Sequence, residues 1–421
     1  MNNLKRLKNY IFNGLSYILF GNFLSQGVAL ISSILIARLV DKSEYAYLSY
    51  ADNLYQYIAL FTGLGLGSAL LVVCTTDVSQ RKQYAYLNSA LIYGGAFEFA
   101  IALLLCICAQ FINIPFLEAR KYIWMLWLYP LITYLFNALQ SYIRVKRNNK
   151  LYAGLGAIQT VVVCIASVAL VIVLDAMGVV FARYIAVILV LIMAAKYLLK
   201  TDGRVRPEKL TPQEKKHFMG TGIALMLANL FSGMMPINEA FIVNNLIKDE
   251  ITTANFKVAG IIPSMLPIIT SSVMIYFFPI IASMRDGNEI RKKVYRIALI
   301  NGVIVVIATV IGVLLTPFGI SFIYGNKYAD AAGMSYALWI MRCINAVLRM
   351  VPLNILAAIG ESKFTATVST FTCIAHAVLD YWFISTLGIN GIAYATIIVY
   401  VLSGIVMWQR FKHKCNLIST Q

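Results

Sequence analysis

Two arginines interrupt one apolar stretch near the end of the chain, Arg342 and Arg349. Their spacing of seven predicts one shared helix face, with the two side chains about two turns, roughly 10 Å, apart. We expect Arg342 near the middle of the bilayer and Arg349 closer to the cytoplasm. One guanidinium group can donate two parallel hydrogen bonds to the oxygens of a phosphate. The two arginines are therefore candidates for binding an anionic group. The alternative is that each pairs with an acid and only holds helices together.

Acidic residues also occur within apolar stretches, at Asp52, Glu98 and Asp380. Asp380 follows His376 by four residues, a spacing that places both on one helix face. An imidazole beside a carboxylate can relay protons or bind a cation, or the two can form a purely structural pair. All four residues are therefore candidates for ion coupling or gating, because a charge inside a span costs about 2.5–3.5 kcal/mol on insertion scales.

Glu239 and Lys257 lie nine residues before and after Lys248, which is expected in a short outer loop. On antiparallel neighbouring spans they are expected at similar depth, where they can form an ion pair. In a functional alternative, Lys257 binds phosphate when an outer gate closes, and Glu239 is released or protonated.

Asn22 and Gln26 are the polar candidates of the first apolar stretch. They are four residues apart, so they share a helix face and can contact sugar hydroxyls. Hydrogen bonds between helices explain them equally well.

Other chemistries find little support in the sequence. The stretch GLGLGS at 63–68 lacks the strand–turn–helix context of a dinucleotide site, and no phosphate-binding loop with Gly-Lys-Ser/Thr is present. The seven cysteines include no C-x-x-C pair and are expected to be free thiols. No zinc motif or nucleophile elbow occurs. We therefore expect no cofactor, no metal and no enzymatic activity.

The elements that position these residues are predicted to be membrane helices. Of 421 residues, 60% are hydrophobic and 13% charged, and the mean hydropathy is +0.76, which is typical of a polytopic membrane protein. Twelve stretches are long enough to span a bilayer. They are 12–37, 47–73, 86–112, 122–143, 151–174, 178–199, 219–247, 252–283, 297–317, 331–358, 364–386 and 391–409.

The distribution of lysine and arginine between the loops predicts how these spans are oriented in the membrane. With the N-terminus inside, 25 of the 35 basic residues fall in cytoplasmic segments and 6 in outer ones, as the positive-inside rule requires. Both termini are then cytoplasmic, and the opening MNNLKRLKNY is a basic tail. The same distribution explains the net charge of +17 without nucleic-acid binding.

An internal repeat divides the chain into two halves. The polar stretch 201–217 separates residues 1–200, with six spans, from residues 218–421, with six more. A shift of 213 residues lays LDAMGVVFARYI (174–185) over LGINGIAYATI (387–397), with Gly178 on Gly391. Because six is even, both halves have the same orientation, which predicts two lobes related by an axis along the membrane normal. Glycine at these points permits tight turns and close helix packing.

Several motifs in this order resemble those of a known family. ISFIYGNKYADAAGMSYALW (320–339), ILIARLVDKSEYAYLSYA (34–51), LFTGLGLGSALL (60–71), LQSYIRVKRNNKLYAGL (139–155), MIYFFPIIASM (274–284) and LGINGIAYAT (387–396) resemble the polysaccharide and oligosaccharide flippases. These belong to the multidrug/oligosaccharidyl-lipid/polysaccharide exporter superfamily. The chain lacks room for the two further spans of the peptidoglycan-precursor flippases, which favours the flippases of O-antigen, capsule or exopolysaccharide repeat units.

The resemblance implies a substrate and a place. The family moves an oligosaccharide on a polyprenyl diphosphate from the inner to the outer leaflet of the cytoplasmic membrane, through a central cavity between two lobes. A polysaccharide polymerase and chain-length machinery are its expected partners, with the lipid bilayer. Arg38 matches the Arg-Leu at the end of the family's first span and joins the binding candidates, although snorkelling to the interface also explains it.

Two other functions compete with this hypothesis. A cation-coupled drug or small-molecule antiporter of the same superfamily would need a conspicuous acid-lined pocket in one lobe. A membrane glycan polymerase usually has a large outer loop with catalytic residues, whereas the longest outer loop predicted here is about 318–330.

Overall fold

A computed structural model describes residues 16–74, 78–203, 205–282 and 284–419 of the chain. The predicted basic tail at the N-terminus lies outside these ranges. Within them the secondary structure is helical, without strands. The predicted all-α fold is therefore confirmed.

Seventeen α-helices make up most of the described chain. In chain order they are α1 (Ser16–Leu39), α2 (Lys42–Leu60), α3 (Leu66–Val73), α4 (Gln80–Ser89), α5 (Gly95–Phe111), α6 (Ala119–Met125), α7 (Tyr129–Val145), α8 (Asn149–Leu174), α9 (Ala176–Asp202), α10 (Pro212–Ile247), α11 (Glu250–Ile261), α12 (Leu266–Ala282), α13 (Gly287–Tyr324), α14 (Ala331–Ile344), α15 (Met350–Ala358), α16 (Ser362–Leu387) and α17 (Gly391–Ser419).

Each of the twelve predicted spans coincides with one of these helices or with a consecutive pair. Nine helical segments of the described chain are long and apolar enough to cross a membrane, and the last of them, Lys363–Ser419, contains both α16 and α17. A shorter apolar stretch, Leu24–Leu39, lies in α1. Large apolar side chains such as Leu314 and Phe322 are exposed, as lipid-facing residues are.

Polar residues between the spans begin the helices. The carboxylate of Asp41 accepts the backbone N–H of Ser43 at the start of α2, and that of Asp249 accepts the N–H of Thr252 at the start of α11. The Asn148 amide oxygen caps α8 in the same way. Each cap satisfies a backbone donor that the first helical turn leaves free.

The chain forms two compact units, Met1–Leu230 and Phe231–Gln421. The boundary falls inside α10, whereas the sequence placed the division in the polar loop 201–217. In the first unit, α8 packs against α1 and α9, and α9 packs against α7. In the second unit, α16 packs against α17, α13 against α14, and α12 against α15. The two-lobe boundaries taken from the sequence remain a prediction.

Five of the predicted spans each consist of two consecutive helices. Three of these breaks contain left-handed or π-helical residues. In the second span, Thr62–Gly65 forms a 3-10 turn in which Gly63, Leu64 and Gly65 have φ of 51°, 54° and 70°. In the third and tenth spans, Ala90–Gly94 and Asn345–Arg349 are π-helical. Such segments free backbone groups that must find other partners, and they often mark functional sites.

The two repeated strings form equivalent tight turns. Asp175 alone joins α8 to α9, and Gly388–Asn390 joins α16 to α17. A Cβ at Gly178 would lie 2.5 Å from the carbonyl carbon and oxygen of Leu170, and one at Gly391 would lie 2.2 Å from the oxygen of Phe383. The glycines therefore let each final helix pass directly over the backbone of its predecessor.

We expect Gly391→Ala to destabilise the C-terminal unit by about 1–3 kcal/mol, because the new methyl group meets backbone that cannot move aside. Gly178→Ala should do the same in the N-terminal unit. Gly319→Ala is the matched control, since a Cβ at Gly319 would have no heavy atom within 4 Å. Thermal unfolding of the purified variants measures the effect. Equal melting temperatures for Gly391→Ala and Gly319→Ala would contradict it.

An ion-pair cluster joins the turn before α16 to the end of α17. Arg410 Nη2 and Lys414 Nζ lie 2.8 Å and 3.0 Å from the two carboxylate oxygens of Glu361. The hydrogen bond from Arg410, followed by that from Lys414, holds the pKa of the Glu361 carboxyl below its ordinary value. A carboxylate of this kind contributes stability that is present above its unfolded pKa of about 4.3 and is lost as the pH falls through the lower folded pKa.

We therefore expect Glu361→Gln to lower the melting temperature at neutral pH but to match the wild type once the pH is below the folded pKa. The pair is partly exposed, so the loss should be at most about 1 kcal/mol. Thermal unfolding at a series of pH values tests this. A difference that persists unchanged in acid would show that the variant acts through packing and not through the charge.

Candidate functional site

A buried salt bridge in the C-terminal unit joins α10 to α14. Arg342 on α14 donates from Nη2 to Oε2 of Glu239 on α10 at 2.8 Å. The Glu239 side chain is 2% exposed and that of Arg342 is 17% exposed. Removing a carboxylate and a guanidinium from water is costly, and their attraction offsets that cost only while both are present. Glu239 is thus paired with Arg342, where the sequence favoured Lys257.

His376 and Asp380 extend this cluster on α16. His376 Nδ1 lies 2.8 Å from Asp380 Oδ2, and both side chains are fully buried. On the other side of the ring, Nε2 lies 2.9 Å from the Thr396 hydroxyl and 3.7 Å from Glu239 Oε1. The ring therefore stands between two carboxylates. A proton taken up here would change the charge that both acids face.

Arg349 occupies the end of the π-helical segment of the tenth span. It is 6% exposed, and its guanidinium carbon lies 5.6 Å from the ring centroid of Tyr400. Neither Nε nor Nη2 has a hydrogen-bond partner within the described ranges. A buried guanidinium is a set of five donors without acceptors, so these unused donors favour an anionic ligand.

The wide turn that presents Arg349 is held by side chains of other helices. The Ala346 carbonyl accepts from Thr270 Oγ1 and from Asn301 Nδ2, each at 3.4 Å. The Leu348 carbonyl accepts from Trp408 Nε1 at 3.0 Å. These polar partners satisfy carbonyls that the π-helix releases from the regular ladder. The spacing of seven residues predicts one shared helix face for Arg342 and Arg349 only if the helix between them is regular, and the π-helical segment interrupts it. Both guanidinium groups nevertheless lie beside the Tyr400 ring.

The remaining binding candidates are on helices other than those of this cluster. Lys257 is half-buried on α11. Arg38 and Gln26 are exposed on α1, with Arg38 in the last helical turn, as a snorkelling residue would be. The side chain of Asn22, also on α1, lies outside the described part. Binding roles for all four remain predictions.

The N-terminal unit contains a second set of buried charges. Arg183 on α9 binds Asp52 on α2 through two hydrogen bonds, with N–O distances of 2.5 Å and 2.8 Å. Glu98 on α5 is 2% exposed and accepts the backbone N–H of Gly63 at 2.6 Å. The sequence identified Asp52 and Glu98 but not Arg183, although a lone arginine in an apolar stretch was the available signal.

Neither set resembles a metal centre. Across the described ranges, no three histidine, cysteine, aspartate or glutamate side chains come together as metal ligands would. The C-terminal cluster combines two arginines with acids and an imidazole, which suits the binding of an anion together with the movement of a proton.

Comparison with known proteins places this arrangement in context. A family model described as "polysaccharide biosynthesis protein" matches residues 35–333. A putative O-antigen transporter from Shigella flexneri is 22% identical over 241 residues, which cover 57% of this chain and 56% of that protein. The match thus spans little more than half of the relative.

Two solved structures share the fold over almost the whole chain. The lipid II flippase MurJ, in an inward closed conformation, aligns with a TM-score of 0.76 at 14% identity, covering 96% of this chain and 90% of that one. An inward-facing multidrug resistance MATE family transporter of the MOP superfamily aligns with a TM-score of 0.71 at 15% identity, covering 94% and 96%. At such identities the likeness establishes the fold alone.

Proposed function

This chain belongs to the polysaccharide biosynthesis protein family, and we propose that it moves polyprenyl-diphosphate-linked oligosaccharide repeat units across the cytoplasmic membrane. The family expected from the sequence is thereby confirmed, and the chain is a multi-pass membrane protein. The relatives found for it are named a transporter and a flippase, which supports transport and argues against glycan polymerisation. The glycan would serve a surface polysaccharide such as O-antigen or capsule.

The observation that carries this proposal is the buried guanidinium of Arg349. Its Nε and Nη2 donors have no partner within the described ranges, although it is 94% buried in a span. A diphosphate has the oxygens that such donors bind bidentately. We assign Arg349 to the diphosphate, with Arg342 as a second ligand when its salt bridge opens. Lys257, Arg38, Asn22 and Gln26 would contact the phosphate or the sugars elsewhere on the route.

Ion coupling would act through Glu239. Its two carboxylate oxygens face Arg342 and His376, at 2.8 Å and 3.7 Å. Protonation of His376 would draw Glu239 toward the imidazolium and weaken its hold on Arg342. Asp380 Oδ2, 2.8 Å from the other ring nitrogen, would stabilise the charged ring. Proton uptake would thereby free a guanidinium for the substrate, in a cycle of alternating access between two lobes.

A cation-coupled antiporter of drugs or small molecules is the second candidate. The acids around His376 and the fold shared with a MATE family transporter favour it. It would need neither a diphosphate ligand nor a lipid-linked substrate. The two proposals therefore differ in what accumulates when the protein is lost.

Deletion of the gene in its host tests the proposal. We expect a lipid-linked repeat unit to accumulate on the cytoplasmic face of the membrane, and complementation with the wild-type gene to remove it. The membrane face on which the repeat unit accumulates also distinguishes transport from polymerisation, because a polymerase defect leaves single repeat units on the outer face. A deletion strain that still presents lipid-linked repeat units outside would refute the flippase function.

The remaining parts of the proposal concern topology and partners. The basic residues of the loops support cytoplasmic termini. A polymerase and chain-length machinery would receive the flipped repeat unit at the outer face. Cysteine labelling from either side of intact cells, at positions 2 and 420, tests the first point.

A further inference from the structure

An uncharged pocket lies beside the break in the second span of the N-terminal unit. Its volume is about 250 Å³, and residues of the break and of α3, α7 and α10 line it. The polar part of the lining consists of Thr62, Ser68, Tyr134, Asn137 and Ser141. All of these residues belong to the unit Met1–Leu230, so the pocket is a separate feature from the cluster around His376.

The glycines of the break and of α3 give this pocket its shape. A Cβ at Gly65 would lie 2.2 Å from the carbonyl oxygen of Gly222, so α10 can pass this close to the break only because Gly65 has no side chain. Two apolar side chains of α10 thereby close one side of the pocket. A Cβ at Gly67 would lie 3.7 Å from the Ser141 hydroxyl oxygen. The missing side chain of Gly67 therefore leaves space between α3 and α7.

Three neutral side chains of the lining can form hydrogen bonds with an occupant. Asn137 and Ser141 are four residues apart on α7 and share a face of that helix, and Ser68 lies on α3. Ser68 and Asn137 are exposed, and Ser141 is half-buried. An amide and two hydroxyls can each donate and accept. The hydroxyls of Thr62 and Tyr134, by contrast, already donate to backbone carbonyls.

The absence of charge restricts the kind of occupant. Among the described residues that line the pocket, none is acidic or basic. A phosphate or a metal ion would find no opposite charge there, and its desolvation would not be repaid. A lipid tail would leave the amide and the hydroxyls without hydrogen-bond partners. A neutral molecule rich in hydroxyl groups avoids both costs.

The size of the pocket restricts the occupant further. Drug-sized ligands occupy clefts of about 300–1,000 Å³. A pocket of about 250 Å³ therefore accommodates a single sugar ring and not a whole repeat unit. A pyranose has hydroxyl groups around its edge and C–H groups on its faces. These match the polar groups of α3 and α7 and the apolar side chains of α10.

We propose that this pocket binds one neutral sugar of the glycan through Ser68, Asn137 and Ser141. The assignment rests on the proposed flippase function and adds a glycan subsite to the diphosphate site. Ser68 and Ser141 lie near the ends of the predicted spans 47–73 and 122–143, which are cytoplasmic in the predicted orientation. The pocket would thus receive the sugar as the substrate enters from the inner leaflet. Asn137 would contribute specificity, because a site that hydrogen-bonds a hydroxyl discriminates against a sugar without it.

Replacement of Asn137 in the host tests the subsite. Asn137→Leu keeps a similar volume but removes the amide, so export should fall several-fold to about tenfold while the lipid-linked repeat unit accumulates inside. Asn88→Leu makes the same change at an exposed position of α4, outside the pocket, and should export normally.

The outcomes separate the subsite from the flippase function. If the deletion strain accumulates the repeat unit inside and Asn137→Leu restores full export, the subsite is overturned and the flippase function stands. If the deletion strain shows no such accumulation, the flippase function is refuted, and the subsite with it.

A second measurement covers the case in which Asn137→Leu does not fold. Purified full-length Ser68→Cys is labelled with a maleimide, and mass spectrometry reads position 68 separately from the seven native cysteines. Lipid-linked repeat unit extracted from the deletion strain should slow this labelling several-fold. Undecaprenyl diphosphate, a carrier lipid without a sugar, should not slow it.

Thr201→Cys is the matched control for labelling. Thr201 is exposed near the end of α9 and does not line the pocket, so its labelling rate should be the same with either lipid. If the repeat unit does not slow labelling at position 68, or if undecaprenyl diphosphate slows it equally, then no sugar occupies the pocket and the proposal is overturned.

Discussion

Export of surface polysaccharide should fall by about 10- to 100-fold when Arg349 is replaced by glutamine, because hydrogen bonds to a charged ligand contribute about 1.5–3 kcal/mol each. Glutamine keeps much of the length of the side chain but loses the charge and the paired donors. The variant should be at least as stable as the wild type, since two of the donors that it removes lack partners in the folded chain. Polymer at the cell surface and lipid-linked repeat unit inside are measured together.

Arg349→Lys and Arg296→Gln complete this experiment. Lysine keeps the charge without the fork of donors, so its export should lie between the wild type and Arg349→Gln. Arg296 is exposed on α13 of the same unit, and its replacement removes an equal charge elsewhere. Normal export by Arg349→Gln, at a normal level in the membrane, would exclude Arg349 from the substrate site.

Glu239→Leu should lower the free energy of unfolding of the C-terminal unit by about 3–5 kcal/mol, because it leaves the Arg342 guanidinium buried without its carboxylate. The double variant Glu239→Leu/Arg342→Met should recover most of this loss, since an apolar pair can replace a buried ion pair at little cost. Unfolding of the purified proteins in denaturant gives both values.

Glu361→Gln serves as the control for this cycle. It also removes a carboxylate from an arginine, but its partner Arg410 is 36% exposed and can return to water. Its loss should remain below about 1 kcal/mol. If Glu239→Leu is no more destabilising than Glu361→Gln, or if the double variant is no better than Glu239→Leu, then the buried pair does not carry the assumed energy.

The spans and the final turn of each half could be predicted because their causes are local. A membrane helix needs about twenty apolar residues whatever its neighbours are, so composition along the chain predicts where helices lie. Gly178 and Gly391 were identified by their shared position in a repeat. The structure gives the physical reason, since a Cβ at either would contact the backbone eight residues earlier.

The partners of the buried charges could not be predicted in the same way. Glu239 pairs with Arg342, 103 residues later, although Lys257 was closer in sequence and expected at the same depth. Arg183 pairs with Asp52 across 131 residues. Depth in the membrane limits the possible partners but does not choose among them, because the choice depends on which helices pack side by side.

The interruptions at Thr62–Gly65, Ala90–Gly94 and Asn345–Arg349 could not be predicted from the sequence either. Glycine is frequent in membrane helices, so the glycines of GLGLGS do not by themselves distinguish close helix packing from the left-handed break at Gly63–Gly65. The π-helix at Asn345–Arg349 depends on Thr270, Asn301 and Trp408, which come from other parts of the chain. Such segments persist only where distant side chains satisfy the carbonyls that they release.

By itself, therefore, the sequence determined an all-α membrane protein of about twelve helices, the tight turns that end each half and the family. It also identified charged residues that are candidates for substrate binding and ion coupling. Only the tertiary structure decided which charges neutralise one another and which side chains, such as that of Arg349, keep unused donors. The physical reason is that hydrophobic transfer into a bilayer is summed along a short segment, whereas the cost of a buried charge depends on atoms within a few ångströms that come from distant helices.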